Sequence, residues 1–596
     1  MSTVTIRQPV VATDLPTVET PIDVGDGPAP RTVQTFPQSV ASGGPTPNGI
    51  ILWTRIDPDR YDPSKSLYLE VSSDRSFDED ATGFEFSGPG VKPPDNYTIR
   101  VDLQGLLDPD SVYYYRFTYR GVRSNTGRCR TLPAVNSSPE SLRFGVLNCQ
   151  NYHNGYFGAM TRLAETDVDF VLHLGDYIYE EVTDGEPTDG EGRYADRRID
   201  LPDGGTRPMS LDDFREIYET YKVDPHLRRL HERHTALQTW DDHAIANDRY
   251  WDYETDAPVF PDHPCGDVPE FTRYLTRAGI QAWWEFIPAR IGYDPTADHI
   301  HDSFELYRSL RFGDLVTLLL TDERLYRSRP RSWPAILFNL WTRPDSPRTM
   351  LGTTQRRWLC SELRESETVW TVWANAVLFK PLYLLAKGLI FWKDAWSGFE
   401  SERRAIIEVL TEVRRRGGTN VVVLTGDMHM TLATRLRNER NGETPVGVEF
   451  MTPSVTSVNP LEKAEAFAER VAARLSPSAT NRSAIRNAIQ SLSDWIERSG
   501  RWMLSQILGR GSASGAAERL ADAGLAPHFT LADGAEWGYS VVEFSREACT
   551  WDVYWVDKTV DSPTAECKPA YRIYLPADEY TIRERHGEIS EPGSAR

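Results

Sequence analysis

Several apolar runs in this sequence end in residue types that bind metal ions. Residues 171–179 read VLHLGDYIY, an apolar strand that delivers Asp176 and, three positions on, Tyr179. Residues 421–429, VVVLTGDMH, repeat the design with Asp427 and His429, which strand alternation puts on one side of the extended chain. Between them lies 239–243, TWDDH, and ahead of both 147–150, LNCQ, offers the Cys149 thiolate at another strand end. A glycine before Asp176 lets the backbone turn so that the carboxylate projects both oxygens, the geometry needed to bridge two metal ions about 3.5–4 Å apart. Taken singly the pieces say little, because Gly-Asp pairs are common turns and a lone His or Cys is more often packed than liganding. Their order and shared place at strand ends give them weight.

Loops at strand ends are gathered into one site by an α/β fold. Strands are predicted at 143–149, 168–174, 314–320, 369–373 and 421–424, with a helix near 157–166 and helical stretches between the others. This predicts an α/β domain, layered β-sheets flanked by helices, over 140–560. Ahead of it, runs rich in Val, Ile, Leu and Tyr at 49–55, 66–72, 97–103 and 112–119 alternate with turn clusters, predicting an all-β sandwich over 35–135. Residues 1–34 read as an irregular arm and 561–596 as a C-terminal tail. A helical insertion is expected at about 461–525, where Ile485, Ile489, Leu492 and Ile496 recur at helical spacing; such a stripe is a packed helix face.

Composition narrows the function classes. With 87 Asp plus Glu against 66 Lys plus Arg, the formal charge of −21 repels a phosphate backbone, so nucleic-acid binding is disfavoured as a main role. The six cysteines are scattered without a C-x-x-C pair, which excludes a structural zinc finger and a dense disulfide framework. No uninterrupted apolar stretch of about twenty residues occurs, so no transmembrane segment is expected. Residues 378–392 (LFKPLYLLAKGLIFW) come nearest, and Pro381, Lys380 and Lys387 interrupt them; a buried or lid-forming segment is the expectation. Residues 1–20 lack an export signal, so a cytoplasmic location is expected as the chain stands, with an extracytoplasmic one open if a signal has been removed.

The ordered motifs 175–179 (GDYIY), 240–243 (WDDH) and 426–429 (GDMH) resemble those of the alkaline phosphatase D, or PhoD-like, phosphatases. Residues 36–43 (FPQSVASG), 49–55 (GIILWTR) and 113–117 (YYYRF) resemble that family's N-terminal part, for which the resemblance implies a fibronectin-III-like sandwich. The match continues through 350–355 (MLGTTQ), 394–398 (DAWSG), 448–454 (VEFMTPS) and 538–539 (GY), covering most of the chain. It implies a ferric ion with calcium close by, in a dinuclear or trinuclear site related to that of purple acid phosphatases. Cys149, Asp176, Tyr179 and His429 would hold the iron, with Asp176 also reaching the second metal. Calcium prefers oxygen donors, for which Asp427 and Asp242 are the better candidates, and Asn375 could add an oxygen or else serve as a turn residue. One departure stands out, because the family usually carries Glu after Trp-Asp-Asp-His and this chain has Ala244. A carboxylate there could orient His243 or a water. Ala244→Glu is accordingly expected to be tolerated.

The resemblance implies hydrolysis of phosphate esters, with water activated on the metals attacking phosphorus in line. His243 would protonate the leaving oxygen, and Arg249 would either touch a phosphate oxygen or sit at the surface as an ordinary cation. A non-catalytic binding or scaffold protein with a degenerate site is the alternative; Ala244 and the helical insertion favour it, and the presence of all four iron ligands opposes it. The motifs leave open whether the ester is small or polymeric, a monoester or a diester, and the oligomeric state is not legible.

Overall fold

The computed structural model describes residues 4–5, 30–78, 81–86, 95–182, 194, 196–330, 348–381, 383–384, 389–390, 394–438, 444–460, 462 and 529–584. Two sheets lie face to face behind the site. The first is built on Ser141–Leu147 with Phe170–His173 parallel beside it, in the register Phe144 with Phe170 through Leu147 with His173. Ala236–Gln238 adds a parallel strand on one flank, and Gly538–Ser545, Ala548–Val556 and Cys567–Pro576 add antiparallel strands on the other. At the heart of the second sheet, Val316–Leu320, Trp370–Ala374, Asn420–Thr425 and Pro445–Met451 run parallel. Parallel strands are covered on both faces and therefore read as continuous apolar runs. VTLLL, WTVWA and NVVVLT are indeed buried at every position.

Alternation sorts each strand between two cores. Phe144, Val146, Phe170 and Leu172 from the first sheet meet Leu318, Val372, Val422 and Phe450 from the second, with Phe450 stacked on Trp551 at 4.8 Å. The intervening residues Leu147 and Val171 pack under Leu211–Val223 and Pro269–Phe286, while Leu319, Trp373 and Val423 pack under Gly352–Glu365 and Glu400–Arg415. The result is a helix–sheet–sheet–helix layering, as the α/β expectation required. Each large apolar side chain so buried stabilises the fold by roughly 1.5–3 kcal/mol.

In the N-terminal part, Val40–Thr46, Gly49–Arg55 and Thr98–Asp102 cover Leu67–Ser72, Thr82–Phe86, Val112–Tyr119 and Gly127–Arg130 around Leu52, Leu69, Phe84, Val101 and Phe117. The strands expected at 49–55 and 112–119 have those bounds. This sandwich does not stand apart, because Gly43 pairs with Ala236 and fuses its first sheet to the large one. Trp53 Nε1 donates to Glu285 O at 2.7 Å and Arg100 lies 4.6 Å over Trp284, fastening the sandwich to Pro269–Phe286.

Residues 561–596 require a correction. Part of the expected tail is sheet: Cys567–Pro576 pairs along the whole of Ala548–Val556, and the Tyr580 hydroxyl accepts from Val421 N at 2.7 Å. Ile573 and Leu575 alternate into the core between the sheets, a period-2 signal masked in the sequence by flanking prolines and charges. In 378–392, Leu378 is buried beside Met428 and Met430, and Tyr383–Leu384 pairs with Leu389–Ile390. The helical insertion expected at 461–525 lies, Glu462 apart, outside the described residues. Among the described residues no helix is long and apolar enough to cross a membrane.

Candidate metal centre

The strands Ser141–Leu147, Phe170–His173 and Asn420–Thr425 end on the same side of the layered core, and the turns beyond them carry Cys149, Asp176, Asp427 and His429. All four have left-handed backbone, with φ of 52°, 54°, 67° and 53°. For residues other than glycine this conformation is uncommon and costs on the order of 1–3 kcal/mol each, and it clusters where a side chain must be aimed. Gly175 makes the turn possible: its φ is 128°, and a Cβ there would stand 2.7 Å from the Cβ of Asp241.

One atom of each of Cys149, Asp176 and His429 lies within 4.8 Å of the others. The Cys149 thiol is 3.6 Å from Asp176 Oδ2; the Tyr179 hydroxyl donates to the same oxygen at 3.1 Å and lies 3.2 Å from His429 Nε2. His429 Nδ1 donates to Val458 O at 2.6 Å, which leaves Nε2 as the inward nitrogen. Ser457 Oγ donates to Tyr179 at 2.7 Å. The four residues named as iron ligands are thus brought together.

Asp176 also joins Asp242 and His243 in a second cluster, and Asp242 joins Asp248 and Asp394 in a third. Arg324, fully buried, pairs with Asp241, with Asp394 at 2.7 Å, with Asp242 at 3.2 Å and with Asp427 at 3.8 Å. Arg327 adds a 2.7 Å pair to Asp394. These cations leave a deficit of positive charge. Burial, together with Asp241 and Asp242, raises Asp176 well above the usual carboxylate range; burial and Asp241 do the same to Asp427. Burial lifts Asp241 to about 6 and Asp248 to about 7. Asp176 Oδ1 and Asp427 Oδ2 are buried without a hydrogen-bond partner. Thiol, phenol, imidazole and such carboxylates together fit a trivalent transition ion beside an oxygen-bound cation.

Asp241 and Asp394 lie within the motifs at 240–243 and 394–398, but the sequence assigns no role in the site to them or to Arg324, Asp248, Glu180 and Ser457. The strand at 314–320 was expected, and it runs straight into Thr321, Asp322, Glu323 and Arg324. Read for metal-binding types, that strand end offers Asp322 and Glu323, and nothing in it marks Arg324.

Of the alternatives open to two expected site residues, the contacts of Asn375 are those of a turn residue, and Arg249 is not at the surface. Asn375 Oδ1 accepts from Trp396 Nε1 at 2.9 Å and its amide donates to Val377 O, so this side chain braces the strand end against the 394–398 turn. Arg249 is only 2% exposed and lies 4.4 Å over the Trp240 ring, which excludes a surface cation and gives it no open face toward an ester. His243 sits at the edge of the site, 17% exposed, with Nδ1 2.6 Å from Glu180 Oε2 and its ring 4.0 Å from that of Tyr179. Burial alone would lower its pKa, but Glu180, Asp176 and Asp242 raise it well above the ordinary value.

Ala244 is 3% exposed in the apolar cluster with Ile245 and Trp240. A Glu here would place a carboxylate among apolar side chains, so Ala244→Glu, expected from the resemblance to be tolerated, is instead expected to destabilise. A loss of about 3–5 kcal/mol is expected, read as a lowered melting temperature; an unchanged melt would show that the Glu escapes to solvent.

The family described as PhoD-like phosphatase matches residues 144–492, and that described as PhoD-like phosphatase, N-terminal domain, matches 24–133. Alkaline phosphatase D of Bacillus subtilis (strain 168) is 30% identical over 439 residues, covering 71% of this chain and 69% of that protein. The solved structure of PhoD superposes with a TM-score of 0.69 at 24% identity, covering 92% of each chain, a likeness of fold. By family match and by identity to a relative over most of its length, the chain belongs to the PhoD-like phosphatases.

Proposed function

We infer that this phosphate-ester hydrolase works at the buried carboxylate cluster, with ferric iron held by Cys149, Asp176, Tyr179 and His429 and calcium held on the side of Asp242 and Asp427. The observation that carries the reading is Asp176, whose carboxylate belongs to two neighbouring ligand clusters and has one oxygen without a protein partner. When bound, the metal ions supply positive charge for the phosphoryl oxygens and an activated water for in-line attack. The protein supplies the rest. Left-handed turns fix the donors before substrate arrives, the strand ends exclude solvent behind them, and Arg324 holds Asp241, Asp242 and Asp394 in place. His243, partly exposed beside Asp176 and Asp242, is the group placed to give a proton to the departing ester oxygen. Elemental analysis followed by assay on a panel of phosphate mono- and diesters tests this; full turnover by protein free of metal would overturn it.

Tyr179 provides an optical check. If its oxygen binds ferric iron, charge transfer from the phenolate colours the protein, with the Cys149 thiolate contributing. Tyr179→Phe keeps the ring against His243 but removes the oxygen. A shifted or bleached visible band with the fold intact is expected, and an unchanged band in iron-loaded protein would strike Tyr179 from the ligands.

A further inference from the structure

We propose that Glu180 is the residue that positions His243 for proton transfer, a role that rests on reading His243 as the proton donor. Glu180 is buried, and its two oxygens do different things. Oε2 lies 2.6 Å from His243 Nδ1, and Oε1 accepts from the backbone N–H of Asn247 at 2.7 Å. A carboxylate oxygen accepts from an imidazole N–H, so this contact assigns the hydrogen to Nδ1 and leaves Nε2 as the ring nitrogen not engaged by Glu180. Because Oε1 is tied to the loop that carries His243, carboxylate and imidazole move as one unit. The rest of the ring's freedom is removed by its neighbours. Tyr179 lies against its face at 4.0 Å with planes 30° apart, and Asp242 Oδ1 accepts the His243 backbone N–H at 3.0 Å.

The resemblance implied that a carboxylate at position 244 could do this work. Ala244 has no carboxylate, and it is buried in the apolar cluster that holds Ile245. The carboxylate reaches His243 from the other loop instead, one residue beyond Tyr179. Residues 179 and 180 thus serve two purposes: Tyr179 turns its oxygen toward Asp176 and His429, and Glu180 turns its carboxylate toward His243.

Glu180→Gln separates positioning from support. The amide oxygen can keep the bond to Asn247, while the NH2 group offers a donor where Nδ1 needs an acceptor, forcing the hydrogen off Nδ1. The experiment measures kcat/KM of the full chain on phosphate esters running from nitrophenyl to alkyl leaving groups, for Glu180→Gln, His243→Ala and the double variant. Alkyl esters, which need protonation of the leaving oxygen, are expected to slow roughly tenfold to hundredfold in Glu180→Gln, and nitrophenyl esters hardly at all. Added to His243→Ala, the change should cost nothing further, because it acts only through that ring. Equal slowing across the series, or full additivity with His243→Ala, would overturn the proposal. Should the Gln variant not fold, Glu180→Asp answers the same question, with selective loss on alkyl esters supporting the role and uniform loss ending it. A flat response of His243→Ala itself would instead remove His243 as proton donor, and Glu180's role with it, without reference to any Glu180 variant.

Discussion

Asp176→Asn should lower kcat/KM about a thousandfold or more on every phosphate ester, whatever its leaving group. The reason is the double membership of one carboxylate. Its Oδ2 lies within reach of the Cys149 thiol and the Tyr179 hydroxyl, its Oδ1 is buried without a partner, and both neighbouring clusters include it. An amide keeps one neutral oxygen and replaces the other with a donor, so it cannot neutralise two cations. The effect on stability should have the opposite character. Burial and the charges of Asp241 and Asp242 raise the folded-state pKa of Asp176, so in metal-free protein its contribution is full below its unfolded pKa and is lost as pH rises through the folded value. Asparagine removes that loss. Chelated Asp176→Asn should therefore melt no lower than chelated wild type at neutral and higher pH. Near-normal turnover would end the bridging role, and a much lower melt would mean that the carboxylate supports the fold.

Much of the liganding group was legible because each member follows an apolar strand within a few residues. Cys149 follows Ser141–Leu147, Asp176 and Tyr179 follow Phe170–His173, and Asp427 and His429 follow Asn420–Thr425. Parallel pairing joins the first two ends and the packing of the second sheet on the first adds the third, so chemistry written at each end reads as one site. The charge balance inside the site was not legible in the same way. Arg324 is one of many arginines, and only contact with Asp241, Asp242, Asp394 and Asp427 distinguishes it. Ala244 misled for a related reason: sequence gives the position of a missing carboxylate, whereas the structure supplies one to His243 from Glu180, sixty-three positions away. The fusion of the N-terminal sandwich to the large sheet rests on the pairing of Gly43 with Ala236, which has no local pattern at all.

Arg324→Met should destabilise the metal-free protein by about 3–5 kcal/mol, the range for leaving buried charge without its partner. The guanidinium is wholly buried, and its planar fork spans the carboxylates, with Nε on Asp241, Nη1 on both Asp242 and Asp394, and Nη2 3.8 Å from Asp427. Although burial pushes Asp394 upward, Arg324 and Arg327 hold it well below the usual carboxylate range, so it is charged at neutral pH and depends on them. Methionine fills most of the volume and answers none of the charge. Arg327 then covers Asp394, and Asp241 and Asp242 lose the ion pair they share with Arg324. Arg324→Lys should fall between the two, since a single ammonium can reach one or two of the carboxylates but cannot span them. Cations bound among the same carboxylates offset part of the loss, because anything that binds the folded state alone stabilises it by mass action. Added calcium should thus raise the melting temperature of Arg324→Met more than that of wild type. If the variant melts with wild type and responds equally to calcium, the carboxylates around Arg324 are relieved by protonation instead, and the arginine is not what keeps them charged.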